Sequence, residues 1–249
     1  MAEDAAAIDK AIRLHGEALS ALDEGDVDLA GALASEALGL FERESGPSHP
    51  DVANVLNCLV RVEERRANYR HAEACARRSV EIMREVRALA GGEDIDRLYV
   101  QSLAALGDIE RILGRYEAAE RWLSEALVVA EDALPTDDED LVTTLNSLGV
   151  LYKYNGRFDD ARTLYERAIR VIEGVSGSDS PSLATLLHNL GGLEHARGDY
   201  ARGEPHARRS VELRERALGP DHPVVAADVA ALAALVEAQG RHDEAEAMY

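Results

Sequence analysis

Apolar residues recur along the chain at helical rather than strand spacing. Leu145, Leu148, Gly149 and Tyr152 fall at i, i+3, i+4 and i+7, one face of an α-helix, and Asn155-Gly156 then supplies a left-handed stop. A second helix opens near Phe158, its inward face carrying Ala161, Tyr165 and Ala168, and Gly177-Ser178-Asp179-Ser180-Pro181 reads as the loop that ends the unit. Neither helix can bury its apolar stripe alone, so the pattern predicts two antiparallel helices that rely on neighbours.

The pair is one copy of a repeat. A shift of 42 residues carries the template onto Leu187, Leu190, Gly191, Glu194, Gly198 and Tyr200, and a shift back of 42 onto Leu103, Leu106, Gly107, Glu110, Gly114 and Tyr116. A third shift reaches Val229, Leu232, Ala233, Val236, Gly240 and, at its end, Tyr249. An earlier copy lies 47 residues before the one at Leu103, at Leu56, Leu59, Val60, Ala67 and Tyr69, and its five extra residues are assigned to a loop around Gly91-Gly92. An atypical first copy runs through Leu14, Ala18, Gly25, Val27 and Ala30, with Glu17 on its apolar stripe, as a capping repeat requires. The expected repeats are 4–50, 51–96, 97–140, 141–182, 183–224 and 225–249, in a single array over 1–249. The fold class is therefore all-α, a right-handed solenoid of stacked helix pairs with roughly three-quarters or more of its residues helical.

Leu145-x2-Leu148-Gly149-x2-Tyr152…Ala161-x3-Tyr165 resembles the tetratricopeptide pattern. HEAT and armadillo arrays share the period but not this glycine and alanine constellation. His49-Pro50-Asp51-Val52-Ala53 with Leu56-Asn57, Leu145-Asn146, and Ala217-Leu218-Gly219-Pro220-Asp221-His222-Pro223 look like the kinesin-light-chain type of the repeat. The repeat at 97–140 lacks both the His-Pro and the Asn. The resemblance implies a repeat subtype and a protein-binding fold, not a motor.

Charge narrows the partners. Asp and Glu number 47 against 27 Lys and Arg, a formal charge of −20, so the summed field repels phosphate and excludes nucleic acid and acidic membranes as general partners. No stretch reaches the roughly 18 apolar residues of a membrane span. Two cysteines, Cys58 and Cys75, do not form a secreted disulfide framework, and a reducing cytoplasm is the expected location.

Enzyme signatures are missing: there is no P-loop, Rossmann fingerprint, nucleophile elbow or H-E-x-x-H string, so the chain reads as a non-enzyme without cofactor. His71, Cys75 and Cys58 come nearest to a metal set, but a fourth ligand is not specified, and they read as two packed thiols and a surface histidine. His49 and His222 stand before prolines where an imidazole can bond a free backbone amide, and Asp137-Asp138-Glu139-Asp140 suits a helix N-terminus. Neither pattern requires catalysis.

What remains is a polar stripe on the first helices. About 100° per residue brings together Asn54, Asn57, Arg61 and Glu64; Gln101, Ala104, Asp108 and Arg111; Thr143, Asn146, Val150 and Lys153; and Thr185, His188, Gly192 and His195. In the family that the chain resembles, this stripe lines a concave groove. Asn54, Asn57, Arg61, Gln101, Arg111, Asn146, Lys153, His188 and His195 are the candidate peptide-binding residues, because carboxamides pair with an extended backbone and the cations can meet an acidic ligand. Asn57 and Asn146 are expected to clamp one backbone. The leading function is a non-enzymatic scaffold for a partner peptide or protein. The alternative is a regulatory or oligomerisation segment of a larger bacterial signalling protein. Because the last repeat stops at Tyr249, its face at Val229, Leu232 and Val236 is expected to be bare and covered by a second molecule or a continuation of the chain.

Overall fold

The computed structural model describes residues 2–248, which form twelve α-helices; among them no strand occurs. Helix accounts for 83% of the chain, as the expected share of three-quarters or more requires, because each linker is short. The helices fall into two compact units, Met1–Pro135 and Thr136–Tyr249.

The first unit comprises α1 (Ala2–Glu24), α2 (Val27–Glu44), α3 (Pro50–Arg65), α4 (Tyr69–Leu89), α5 (Glu93–Ile112) and α6 (Tyr116–Ala133). The second comprises α7 (Glu139–Tyr154), α8 (Phe158–Ser176), α9 (Leu183–Arg197), α10 (Tyr200–Leu218), α11 (Pro223–Glu237) and the short α12 (His242–Glu246). In the first unit α3 lies against both α1 and α5, and in the second α9 lies against both α7 and α11, whereas second helices of successive pairs do not touch. Within each unit the first helices are thus closer together than the second helices, and each unit curves toward its first-helix side.

Local chemistry sets the helix ends as the sequence implies. Prolines open α3 and α11, and the preceding imidazoles cap them: His49 Nδ1 accepts from Asp51 N at 3.3 Å and His222 Nδ1 from Val224 N at 3.2 Å. The Asp138 carboxylate accepts from Asp140 N at 2.8 Å at the start of α7. Between the two helices of a pair, Gly114, Gly156, Gly198 and Gly240 hold φ between +74° and +80°. In the second pair Ala67 takes that place at φ +56°, where its Cβ crowds the following carbonyl.

Small residues set how closely the helices of a pair pack. A Cβ on Gly149 of α7 would stand 2.5 Å from Cε1 of the fully buried Tyr165 of α8. At Gly107 of α5 it would stand 2.6 Å from Leu123 Cγ of α6. The tyrosine position of the repeat varies with consequence. Tyr152 lies under the Arg157 guanidinium, 3.8 Å from its ring centroid. The equivalent Glu110 and Glu194 are fully buried and bridge pairs instead: Glu110 meets Arg77 of α4 and Arg115, and Glu194 meets Arg162 of α8. Removing one member would strand a buried charge.

Two expectations are corrected. The five extra residues do not form a long loop at Gly91: residues 90–92 suffice there, and the longest linker is the six residues 177–182 that join α8 to α9. The five extra residues lengthen the flanking helices, and α4 and α5 reach 21 and 20 residues. Glu93, Asp94 and Asp96 favour an early start for α5, and Arg87 of α4 pairs with Asp96 across the turn. The face of the last repeat is not bare either. Leu232 and Val236 are 5% and 0% exposed, packed with Ala207, Leu235 and Ala245 and flanked by Tyr200, Val211 and Met248, while Val229 is half-buried. The turn after α11 folds α12 back over them. Tyr249 and Met1 lie outside the described residues.

Two substitutions test this account. Gly149→Ala overpacks the contact with Tyr165 and should lower the unfolding free energy by about 1–3 kcal/mol. Ala67→Gly relieves the left-handed alanine and should raise it by about 1 kcal/mol. Urea unfolding followed by circular dichroism reads both, and opposite signs would contradict the packing and strain described.

Candidate interaction surface on the first helices

The predicted stripe lies on the first helices, and four of its residues, Asn57, Arg61, Asn146 and His188, tie one first helix to the next. In the first unit the half-buried Asn57 of α3 donates Nδ2 to Ser102 Oγ of α5 at 3.1 Å, while its Oδ1 is buried without a hydrogen-bond partner. Ser102 and Ser79 of α4 lie 2.8 Å apart, so one hydroxyl donates to the other and the second is left for a helix carbonyl, Ala53 O or Leu98 O. Arg61 reaches Asp23 Oδ1 of α1 at 3.3 Å, and Arg111 reaches Asp108 Oδ1 at 3.3 Å. Both cations are therefore engaged by carboxylates, and the charge argument for an acidic ligand loses its basis. Asn54 is exposed, and Gln101 is half-buried.

The second unit repeats the arrangement with stronger partners. Asn146 Oδ1 of α7 accepts from Asn189 Nδ2 of α9 at 2.7 Å. His188, in the place of Asn57, donates Nδ1 to Asp228 Oδ1 of α11 at 2.7 Å. Asp228 Oδ2 also lies 2.8 Å from Ser210 Oγ and accepts from Arg214 Nε at 2.7 Å. Ser79 and Ser210 correspond: each hydroxyl lies within hydrogen-bond reach of the backbone carbonyl 26 residues earlier, Ala53 and Ala184. Although His188, Asp228 and Ser210 are the residue types of a hydrolase triad, the carboxylate bridges the other two, and Ser210 is fully buried with its oxygen on Asp228 rather than on the imidazole. The cluster is a bracket between helices.

Lys153 of α7 lies 5.6 Å over the Tyr154 ring, and a Cβ on Gly192 of α9 would stand 3.6 Å from its Nζ. His195 packs against Tyr200, ring centroids 5.3 Å apart. The clamp expected between Asn57 and Asn146 joins residues of different units; each carboxamide is occupied within its own unit. Asn189, Ser102, Asp228 and Asp23 were not singled out from the sequence. The repeat shift places Ser102 and Asp228 in one column, so that column carried the signal.

The remaining candidates resolve simply. Cys58 and Cys75 are buried free thiols, and burial pushes Cys75 up to about 11 and raises Cys58 as well. His71 is exposed and lies 3.2 Å from Glu63 Oε2. Among the described residues no helix is long and apolar enough to cross a membrane.

Asp228 yields a prediction. Burial raises its pKa, but hydrogen bonds from His188, Ser210 and Arg214 outweigh that and hold the carboxyl below its ordinary value. A depressed folded-state pKa contributes stability that is complete above the unfolded value of about 3.9 and is lost as pH falls through the folded value. Asp228→Asn should therefore cost about 1.5–3 kcal/mol at neutral pH, with the gap from wild type closing below about pH 4. Urea unfolding at stepped pH reads this, and a gap that stays constant into acid would contradict the bracket.

Comparison with known proteins follows this geometry. Residues 86–249 match the MalT-like TPR region family, and residues 8–85 match the tetratricopeptide repeat model. Among solved structures the chain is similar to BtubC (BKLC) from P. vanneervenii, with 22% identity, coverage of 98% of this chain and 87% of that one, and a TM-score of 0.65. It is also similar to a Podosopora anserina kinesin light chain with nearly identical TPR-like repeats, at 19% identity, 80% and 92% coverage and a TM-score of 0.63. Aspartyl phosphate phosphatase F from Bacillus subtilis shares 15% identity over 99% of this chain and 70% of its own, with a TM-score of 0.61. These likenesses concern the fold. No curated protein matches the chain in sequence. The chain belongs to the tetratricopeptide-repeat family, whose fold is typically a scaffold for protein interaction.

Proposed function

We propose that the protein is a non-enzymatic scaffold that holds a partner peptide or protein against the first-helix face of its units. The observation that carries this reading is the spacing of the helices. First helices lie side by side and second helices stand apart, so polar side chains of successive repeats converge on the inner face of each unit. Asn54 and Thr143 stand exposed there, beside the half-buried Asn57 and Asn146. Their brackets to Ser102 and Asn189 fix the carboxamides before a ligand arrives, which lowers the entropy cost of binding.

This role belongs in a reducing cytoplasm, where free thiols such as Cys58 and Cys75 persist. The kinesin-light-chain subtype is supported by the His49 and His222 caps, which give its His-Pro pattern a physical purpose. A Rap protein of similar fold has been solved in complex with Competence and Sporulation Factor, which shows that a fold of this kind can hold another molecule.

The partner can be captured from native lysate and its affinity measured by calorimetry. Asn57→Ala with Asn146→Ala should weaken binding by about 1–3 kcal/mol, more than Lys153→Ala, while Arg70→Ala with Arg121→Ala on the exposed second-helix surface should leave it unchanged. Loss of binding in the second-helix variant alone would move the site elsewhere.

A further inference from the structure

The second unit holds a cleft of about 500 Å³ between the end of α8 and the starts of α7 and α9, within the roughly 300–1,000 Å³ range of ligand clefts. Val142, Val171, Val175, Ile172 and Leu186 give it apolar walls. Leu186 and Ile172 are buried, but Val175 is 57% exposed, a large apolar side chain left to water. The inner edge belongs to the stripe already described, through Thr143, Asn146 and Thr185.

The charges around the cleft are one-sided. Asp137 and Glu139 line it and no cation does. Asp138 between them spends its carboxylate capping α7, but Asp137 and Glu139 are exposed and have no ion-pair partner among the described residues. Of the two nearest cations one is held by a carboxylate and the other, Arg170, is unpaired among the described residues. Arg214 touches Thr185 Oγ1 at 3.3 Å but is held by Asp228, and Arg170 shares with Asp137 a shallow depression on the outer side without pairing with it. An acidic ligand would meet two carboxylates here, and a purely apolar one would leave them beside a dry surface. A metal ion would find valines where it needs ligands.

We propose that this cleft takes a lysine or arginine side chain of the partner peptide, its aliphatic stem lying on Val142, Val171 and Val175 and its charged head between Asp137 and Glu139. The inference rests on the scaffold reading above and gives the second unit's ligand a chemistry opposite to the acidic one expected from the stripe alone. The peptide backbone runs along Thr143, Asn146 and Thr185, and the basic residue turns outward from it toward α8.

Three peptides, Ac-Gly-Ser-X-Ser-Gly-amide with X as arginine, norleucine or glutamate, are titrated into the full chain labelled for amide and methyl NMR. The arginine peptide should move the Val142, Val171 and Val175 methyl resonances saturably. The norleucine peptide should bind about three- to tenfold more weakly, and the glutamate peptide should leave the methyls unmoved. Asp137→Asn with Glu139→Gln should bring arginine down to the norleucine level. Glu215→Gln with Glu237→Gln, which removes the same charge from exposed unpaired sites elsewhere in the unit, should not. Equal binding of arginine and norleucine, or an equal loss in the control variant, overturns the proposal. If all three peptides move the Asn146 and Thr185 amides alike, the scaffold reading stands and the basic subsite falls. If arginine moves the valine methyls while those amides stay still, the subsite stands and the backbone groove falls.

Discussion

Each of the long helices, α1 to α11, buries apolar side chains that it cannot cover by itself. The structure follows from the way neighbours cover them. The contact between Gly149 and Tyr165 shows the requirement at its sharpest, since the missing Cβ is what lets a phenol ring seat against the facing helix. At a different position of the repeat, where Tyr152 gives way to Glu110 and Glu194, an arginine from the preceding second helix enters and makes a charged tie between pairs.

The polar side of the first helices obeys the same logic. Asn57 with Ser102, Asn146 with Asn189, and His188 with Asp228 each join one first helix to the next. The side chains that would meet a ligand are the ones that hold the surface together. A surface built this way is preorganised, and a ligand gains from hydrogen-bond capacity left over rather than from free cations. The exception is the cleft beside α8, where Asp137 and Glu139 have no internal partner and the charge is available.

The periodic spacing made the helix pairs, their turns and the His-Pro and Asp138 caps legible, since each depends on residues within one or two turns of one another. Legibility failed where the deciding partner lies in another repeat. Arg61 reads as a free cation because Asp23, which engages it, is 38 residues away, and Arg111 because periodicity alone does not show that Asp108, one turn before it, turns toward it. Asn189 stands one position off the stripe template, so the ladder with Asn146 was out of view. The insertion near Gly91 went to a loop because loops absorb length cheaply, yet the acids from Glu93 onward favour helix and the residues joined α4 and α5 instead. The cleft needs the end of one pair and the start of the next together, which no single-helix periodicity displays.

The central claim is that first helices flanked on both sides carry the stability of each unit. Hydrogen exchange by mass spectrometry on the intact chain tests it most directly, because exchange reports local opening element by element. The account predicts that α3 and α9, each packed by four other helices, exchange slowest in their units, with α4 and α10 faster and α12 fastest. Protection in α4 or α10 that equals or exceeds that in α3 or α9 would contradict it.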